Sequence, residues 1–187
     1  EKNKKLEETI KKLKEKNKNL EEKNKKYINK TINNTVNNTN NNTVINIKLN
    51  GFDHTNTEMI EENHELMKMI IYSGVNAIPK LVKYIHCNKQ YPENINVYIN
   101  NMKCKYALVR DEINKIWEIR TQDDVIDSMS FRAENLIDDW KEEFGHSSEI
   151  LDQYERYNRL KEKPENIKKI NEALKINLYN NRLLIKK

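Results

Sequence analysis

Leu6, Leu13, Leu20 and Tyr27 stand seven residues apart, and Ile10, Asn17 and Asn24 fall between them in alternating steps of four and three. This spacing is the a/d pattern of a coiled coil, in which one seam of a helix is apolar and meets the same seam of another helix. Lys and Glu fill the positions between. A helix this polar has nothing in its own chain to pack its seam against. Residues 1–30 are therefore expected to form a coiled-coil stalk that joins copies of the chain into a dimer, trimer or tetramer. The competing reading is a single solvated helix with accidental spacing. Asn17 and Asn24 would lie inside the seam, where a buried amide costs stability but fixes register and oligomer number.

From Thr31 the pattern changes. Thr31-Ile-Asn-Asn, Thr35-Val-Asn-Asn, Thr39-Asn-Asn-Asn and Thr43-Val-Ile-Asn repeat every four residues. A period of four drifts off one face of a helix, and Thr and Asn are poor helix formers. Residues 31–43 read as an Asn/Thr-rich low-complexity repeat. Its Asn-x-Thr sequons, beginning at Asn29, Asn33, Asn37 and Asn41, carry no meaning in a cytosolic protein.

Residues 44–145 read as an α+β head with a small antiparallel sheet of three or four strands packed with helices. Val44 to Leu49 is β-branched and alternating, hence a strand. Glu58 to Tyr72 reads as one helix, closed by Ser73-Gly74. Ala77 to Cys87 reads as another, with Pro79 tolerated in its first turn and Ile78, Leu81, Val82 and Ile85 on its core face. Ile95–Ile99, Lys105–Val109 and Lys115–Ile119 read as a meander turning at Asn100-Asn101 and at Asp111 to Asn114, with Tyr98, Tyr106 and Trp117 as cross-strand partners. Thr121-x-x-Asp124 opens a helix running to Glu143, and Gly145 ends it. Residues 146–187 read as a helical tail. Ser147 or Ser148 caps its first helix, and Pro164 starts the last, striped by Ile167, Ile170, Leu174, Leu178 and Leu184.

The chain has 187 residues with a net charge of +5. Residues 1–30 hold 12 Lys and 6 Glu, a balance of +6, so the remaining 22 basic and 23 acidic residues balance at −1. The head is no basic module. The excess sits on the helical ends, where it reads first as a solvated exterior and second as a phosphate track, which makes nucleic acid the second partner class. Cys87 and Cys104 have no Cys-x-x-Cys companion, which excludes a zinc knuckle and points to a reducing intracellular compartment. No apolar run approaches the roughly twenty residues of a membrane span, and no membrane partner is expected. A chain beginning at Glu1 is expected to be a piece of a longer protein.

The segment Ile85-His-Cys-Asn-Lys-Gln-Tyr-Pro-Glu-Asn-Ile-Asn-Val-Tyr-Ile-Asn100, followed by Lys105-Tyr-Ala, Trp117 and Asp124-Val-Ile-Asp127, resembles a group of proteins of giant nucleocytoplasmic DNA viruses. The order of coiled coil, Asn/Thr run, Ile-Asn-Ile strand and His/Tyr-Pro-Glu-Asn segment matches over about residues 28–130. The resemblance implies a viral protein in the host cytoplasm, viral factory or virion. It also implies a DNA-associated segment, often a zinc finger, upstream of the coiled coil. It carries over no activity. His86, Tyr91, Pro92, Glu93, Asn94 and Asn96 form a cluster with two readings. The first is structural, with Pro92 fixing the loop and the amides satisfying turn backbone. The second is a surface recognition loop for protein or nucleic acid.

Catalytic parts are missing from the sequence. His86 with Asn94 and Asn96 faintly resembles the spacing of a His-Asn nuclease finger, but the adjacent His and the later ligand are absent. Asp123, Asp124, Asp127, Asp138 and Asp139 spread over one acidic helix without a partner His. Cys87 next to His86 makes no nucleophile–base pair, since helix neighbours point apart. No metal and no cofactor is expected. The expected function is a non-enzymatic, homo-oligomeric assembly or interaction module. The runner-up is the oligomerisation part of a DNA-associated regulator whose reading segment lies upstream.

Overall fold

Two short helices replace the single one expected over 58–72, because Asn63 caps a helix there instead of continuing one. In the computed structural model, which describes residues 47–185, α1 spans Glu58–Glu61 and α2 spans His64–Ile71. The Asn63 side chain accepts the Leu66 N–H at 3.0 Å, the local bond that lets Asn compete with a helix interior. After α2 the chain turns on Gly74, whose φ of +56° suits glycine and few other residues. The next helix, α3, spans Ala77–His86 and buries Ile78, Leu81, Val82 and Ile85 as expected.

The strand expected over 44–49 lies partly outside the described residues. Ile47 to Asn50 carry no ladder. The Asn50 N–H instead donates to the Glu93 carbonyl at 2.8 Å, and the Gly51 N–H donates to the Glu112 carboxylate. Among the described residues the sheet is three-stranded and antiparallel in the order β1-β2-β3, with β1 Val97–Tyr98, β2 Tyr106–Arg110 and β3 Trp117–Thr121. β1 is shorter than the expected Ile95–Ile99, since the Ile99 N–H leaves the sheet to donate to the Leu178 carbonyl at 3.1 Å. Pairing of Val97 with Val109 and of Val109 with Glu118 fixes the faces. Val97, Ala107 and Val109 turn to the core; Tyr98, Tyr106, Leu108, Trp117 and Ile119 turn away from it. Tyr98 meets Trp117 edge-on with ring centroids 5.0 Å apart. Tyr106 does not join them, because the register places it opposite Thr121.

Three longer helices follow. α4 spans Gln122–Phe144, its first turn capped by Thr121 Oγ1 accepting the Asp124 N–H at 3.2 Å. Val125, Ile126, Met129, Ala133, Ile137 and Trp140 form its buried stripe. α5 spans Ser148–Lys161 behind a Ser147 cap, and α6 spans Pro164–Ile185. The segment read as a tail contributes Tyr157, Ile170, Leu174 and Leu178 to the same core as Phe52, Ile60, Leu81 and Ile137. Burial of each such aliphatic side chain stabilises by about 2 kcal/mol, so α6 closes the head. Ile167, expected on that stripe, is 47% exposed. Asn166 takes the buried place instead and donates to the Leu160 carbonyl at 2.9 Å. Among the described residues no helix is long and apolar enough to cross a membrane.

Among the described buried side chains with an unpartnered polar atom, Tyr157 is the largest apolar body in the core. Tyr157 is 1% exposed and its hydroxyl has no hydrogen-bond partner among the described residues. Burial accordingly pushes its ionisation far above the usual tyrosine range. Tyr157→Phe removes that unsatisfied oxygen and keeps the ring, so it is expected to stabilise by about 1 kcal/mol. A urea titration checks this, and a clear loss of stability would mean that the hydroxyl has a partner.

Candidate functional site

Three of the six residues in the cluster read first as structural and second as a recognition loop are interior. His86 is 4% exposed, and Asn94 and Asn96 are fully buried, while Tyr91, Pro92 and Glu93 are half-buried. α3 delivers His86 from its last turn, and a 3-10 turn over Pro92–Asn94 brings the chain back beneath it. The Asn96 Oδ1 lies 2.9 Å from His86 Nδ1. The Asn96 Nδ2 donates to the Gly51 carbonyl at 3.1 Å and to Thr55 Oγ1 at 3.0 Å. A carbonyl can only accept, so the amide orientation is fixed, and His86 must carry its proton on Nδ1. Asn94 works alike: its Oδ1 accepts from Asn50 Nδ2 at 2.9 Å and the Asn56 N–H at 3.2 Å, and its Nδ2 donates to the Asn56 carbonyl at 2.7 Å. Asn181 on α6 adds a third amide, donating to the His86 and Val97 carbonyls at 2.8 Å each.

These amides bind the 50–57 segment, the end of α3 and the start of β1 into one polar seam. Burial pushes the His86 imidazole down to about 4, with the nearby Arg132 charge adding to the effect and the Asn96 bond opposing it. The ring is therefore neutral and shielded. The surface-loop reading is corrected for His86, Asn94 and Asn96, which are buried and whose polar atoms bond to side-chain and backbone groups of the head itself. Cys87, the neighbour of His86, is directed at the Asn177 carbonyl at 3.8 Å, and burial pushes its thiol up to about 12. That is the opposite of an activated nucleophile.

Beside the seam lies a cleft of about 230 Å³ lined by Asp53, Thr55, His86, Arg132 and Asp139, with Val82, Met129 and Leu136 below. The buried Phe52 ring, next to Asp53 in the chain, meets two guanidinium groups. The Arg132 guanidinium carbon sits 4.2 Å from the ring centroid and that of Arg120 sits 5.7 Å away. Arg120 also grips Asp53 with both arms, at 2.8 and 3.2 Å, and this hydrogen bonding holds the Asp53 carboxyl below its usual range. Arg132 donates to the Ser128 and Phe52 carbonyls, while its buried Nη2 is unpaired among the described residues. The cleft mixes one guanidinium with two carboxylates, so it offers no single-sign field to a charged ligand. Among the described residues no group of three His, Cys, Asp or Glu side chains is placed to hold a metal ion. The acidic positions on α4 serve locally: Asp123 pairs with Lys175 at 3.2 Å and Asp138 accepts the Tyr154 hydroxyl at 2.7 Å.

The surface feature that stands apart is the outer face of the sheet. Ile119 on β3 is 70% exposed, Tyr98, Leu108 and Trp117 are half-buried beside it, and Ile113 and Ile116 are exposed in the β2–β3 hairpin. The chain as a whole is 34% charged, which makes this apolar cluster conspicuous. Sequence reasoning paired Tyr98 with Trp117 but did not see that their face is the outward one. Arg132 and Asn181 were missed as well. Asn181 follows Leu174 and Leu178 at helical spacing, a signal that was available; Arg132, between Met129 and Ala133, was the other. The oligomerisation positions Leu6, Ile10, Leu13, Asn17, Leu20, Asn24 and Tyr27 lie outside the described residues. Comparison of the chain with family models, curated proteins and solved structures finds no match.

Proposed function

We propose that this chain is a non-catalytic interaction module of a viral protein. Its N-terminal heptads gather copies of the chain, and its head offers the outer face of the sheet to protein. The observation that carries this reading is the apolar sheet face around Ile119 and Trp117, since an exposed cluster of aromatic and branched side chains on a charged domain marks a protein-contact surface. The polar seam at His86, Asn94 and Asn96 supports it from the other side. Those residues hold the head rigid, and a rigid head presents its surface without an ordering cost.

The test is the mass of the 187-residue chain by light scattering, at low and high salt. A stable multiple of 22.4 kDa is expected. Replacing Leu13 and Leu20 by asparagine should lower that multiple, because each heptad layer that drives association loses its apolar contact. An oligomeric mass unchanged by this double change would sink the heptad reading. A monomer at every concentration whose nucleic-acid binding falls steeply with salt would instead favour the DNA-associated alternative.

A further inference from the structure

β3 is an edge strand, and its open side has a definite pattern. The Asp111 N–H donates to the Ile116 carbonyl at 2.9 Å and the Gln122 N–H to the Lys105 carbonyl at 2.8 Å. These bonds bracket the β2–β3 ladder, and antiparallel pairs alternate between bonded and non-bonded. Glu118 and Arg120 therefore turn their backbone groups toward β2, while Trp117, Ile119 and Thr121 turn theirs to the open side. No strand lies beyond β3 among the described residues. Edges left open are usually blunted by proline, lysine or a bulge. The sequence Trp117-Glu-Ile-Arg-Thr121 has no proline or lysine, and its pairing with β2 runs without a break; its inward-pointing charges, Glu118 and Arg120, are of opposite sign and neutralise each other within the strand at 3.4 Å.

We propose that β3 pairs with β3 of a second copy, antiparallel about a two-fold axis at Ile119, joining two sheets into one. The side chains are self-complementary in that register. Ile119 meets its own copy on the outer face, and Trp117 lies opposite the partner copy's threonine. On the inner face Glu118 lies opposite the other copy's arginine, and its own Arg120 opposite the other glutamate. Opposite charges facing across strands stabilise, and like charges destabilise. Centring the pair on Glu118 or on Arg120 would set like charges against each other, so the sequence selects Ile119. The backbone agrees: Ile119 exchanges both bonds with its copy, and each Thr121 N–H meets the other Trp117 carbonyl. The Thr121 carbonyl is left to α4, whose N-cap Thr121 is. The pairing also merges the two outer faces into one apolar surface. This inference rests on the self-association reading, but it concerns the heads and not the heptads.

The experiment is air oxidation of I119C in a Cys104→Ser background, compared with I113C in the same background. A two-fold pair brings the 119 positions to about 5.5 Å between Cα atoms, within disulfide range. It keeps the 113 positions apart, although Ile113 is 86% exposed and Ile119 only 70%. I119C is expected to give a covalent dimer at least ~10-fold faster than I113C. Equal rates, or a faster I113C, would overturn the pairing. Adding Glu118→Arg or Arg120→Glu to I119C should each abolish the fast reaction, and mixing these two variants should restore it. Folded variants that fail to recover on mixing count against the register. Repeating the oxidation with Leu13 and Leu20 as asparagine separates the two readings. A multimer without preferential I119C cross-linking refutes head pairing and leaves the heptad assembly standing. A preferential cross-link in a chain whose heptads are broken supports head pairing and places it outside the stalk.

Discussion

Asn96→Ala is expected to lower the unfolding free energy by about 4 kcal/mol, the largest effect of any single polar substitution in the head. The Asn96 amide is fully buried and occupied on both sides, by His86 Nδ1 and by the Gly51 carbonyl and Thr55 Oγ1. Truncation leaves the imidazole N–H and the glycine carbonyl facing a void. Each orphaned buried group costs about 1–3 kcal/mol and the cavity adds to that. Thr55 is spared, because its hydroxyl still donates to the Phe52 carbonyl at 2.9 Å. Total stabilities of about 5–15 kcal/mol make such a loss close to decisive. Urea unfolding followed by tryptophan fluorescence measures it, with half-buried Glu93→Ala as a neighbour expected to stay within about 0.5 kcal/mol. A loss below about 1 kcal/mol at Asn96 would mean that the seam is wet and the amide dispensable.

Asn96 also marks the limit of what could be read from the sequence. An Asn two residues after Asn94 and four after Pro92 fits a loop whose side chains cap turns, and the same residue type serves equally well as a buried bridge. Only tertiary placement distinguishes them. The Asn63 break had the same origin, since a helix former and a helix cap look alike until the flanking backbone is known. By contrast, Ile78, Leu81, Val82 and Ile85 on α3 were legible as core positions, because the 3.6-residue period of a buried face leaves little choice. The meander was legible for the same reason, by its period of two.

A period states that one face is buried and leaves open what covers it. That is why α6 read as a tail although Leu174 and Leu178 lie in the centre of the core. It is also why the sheet's outer face went unnoticed: alternation put Tyr98 and Trp117 together, but which side met the helices depended on the register of Val97, Val109 and Glu118. Glu118 and Arg120 share the core-side face of an edge strand, where a hydrophobic pair would be the ordinary choice. Their charges are accommodated because Asp53 reaches Arg120 from the 50–57 segment. The polar seam and the charged edge therefore depend on the same stretch of chain. Loosening Asn96 is expected to disturb β3 presentation as well as stability.

Acid should destabilise the head before its carboxylates titrate. Unfolded, the His86 imidazole takes a proton near its ordinary value of 6.5; folded, burial holds it neutral down to about 4. Between these values the unfolded chain binds the extra proton, so stability rises with pH. The contribution is fully present above about 6.5 and is lost as pH falls toward 4, a change of about 3 kcal/mol for a shift of this size. Burial is the main cause, Arg132 on the cleft side repels a second positive charge, and the Asn96 bond to Nδ1 opposes them only in part. Asp53 and Glu112, held down by Arg120 and Lys115, lose their contributions only as pH falls through and below the ordinary carboxylate range. The upper part of the window thus belongs to His86. Urea midpoints at pH 7, 6 and 5 should decline steadily in the natural chain, and H86Q should flatten that slope whatever its own absolute stability. An equal slope in both chains would place the titrating group elsewhere and remove His86 from the account.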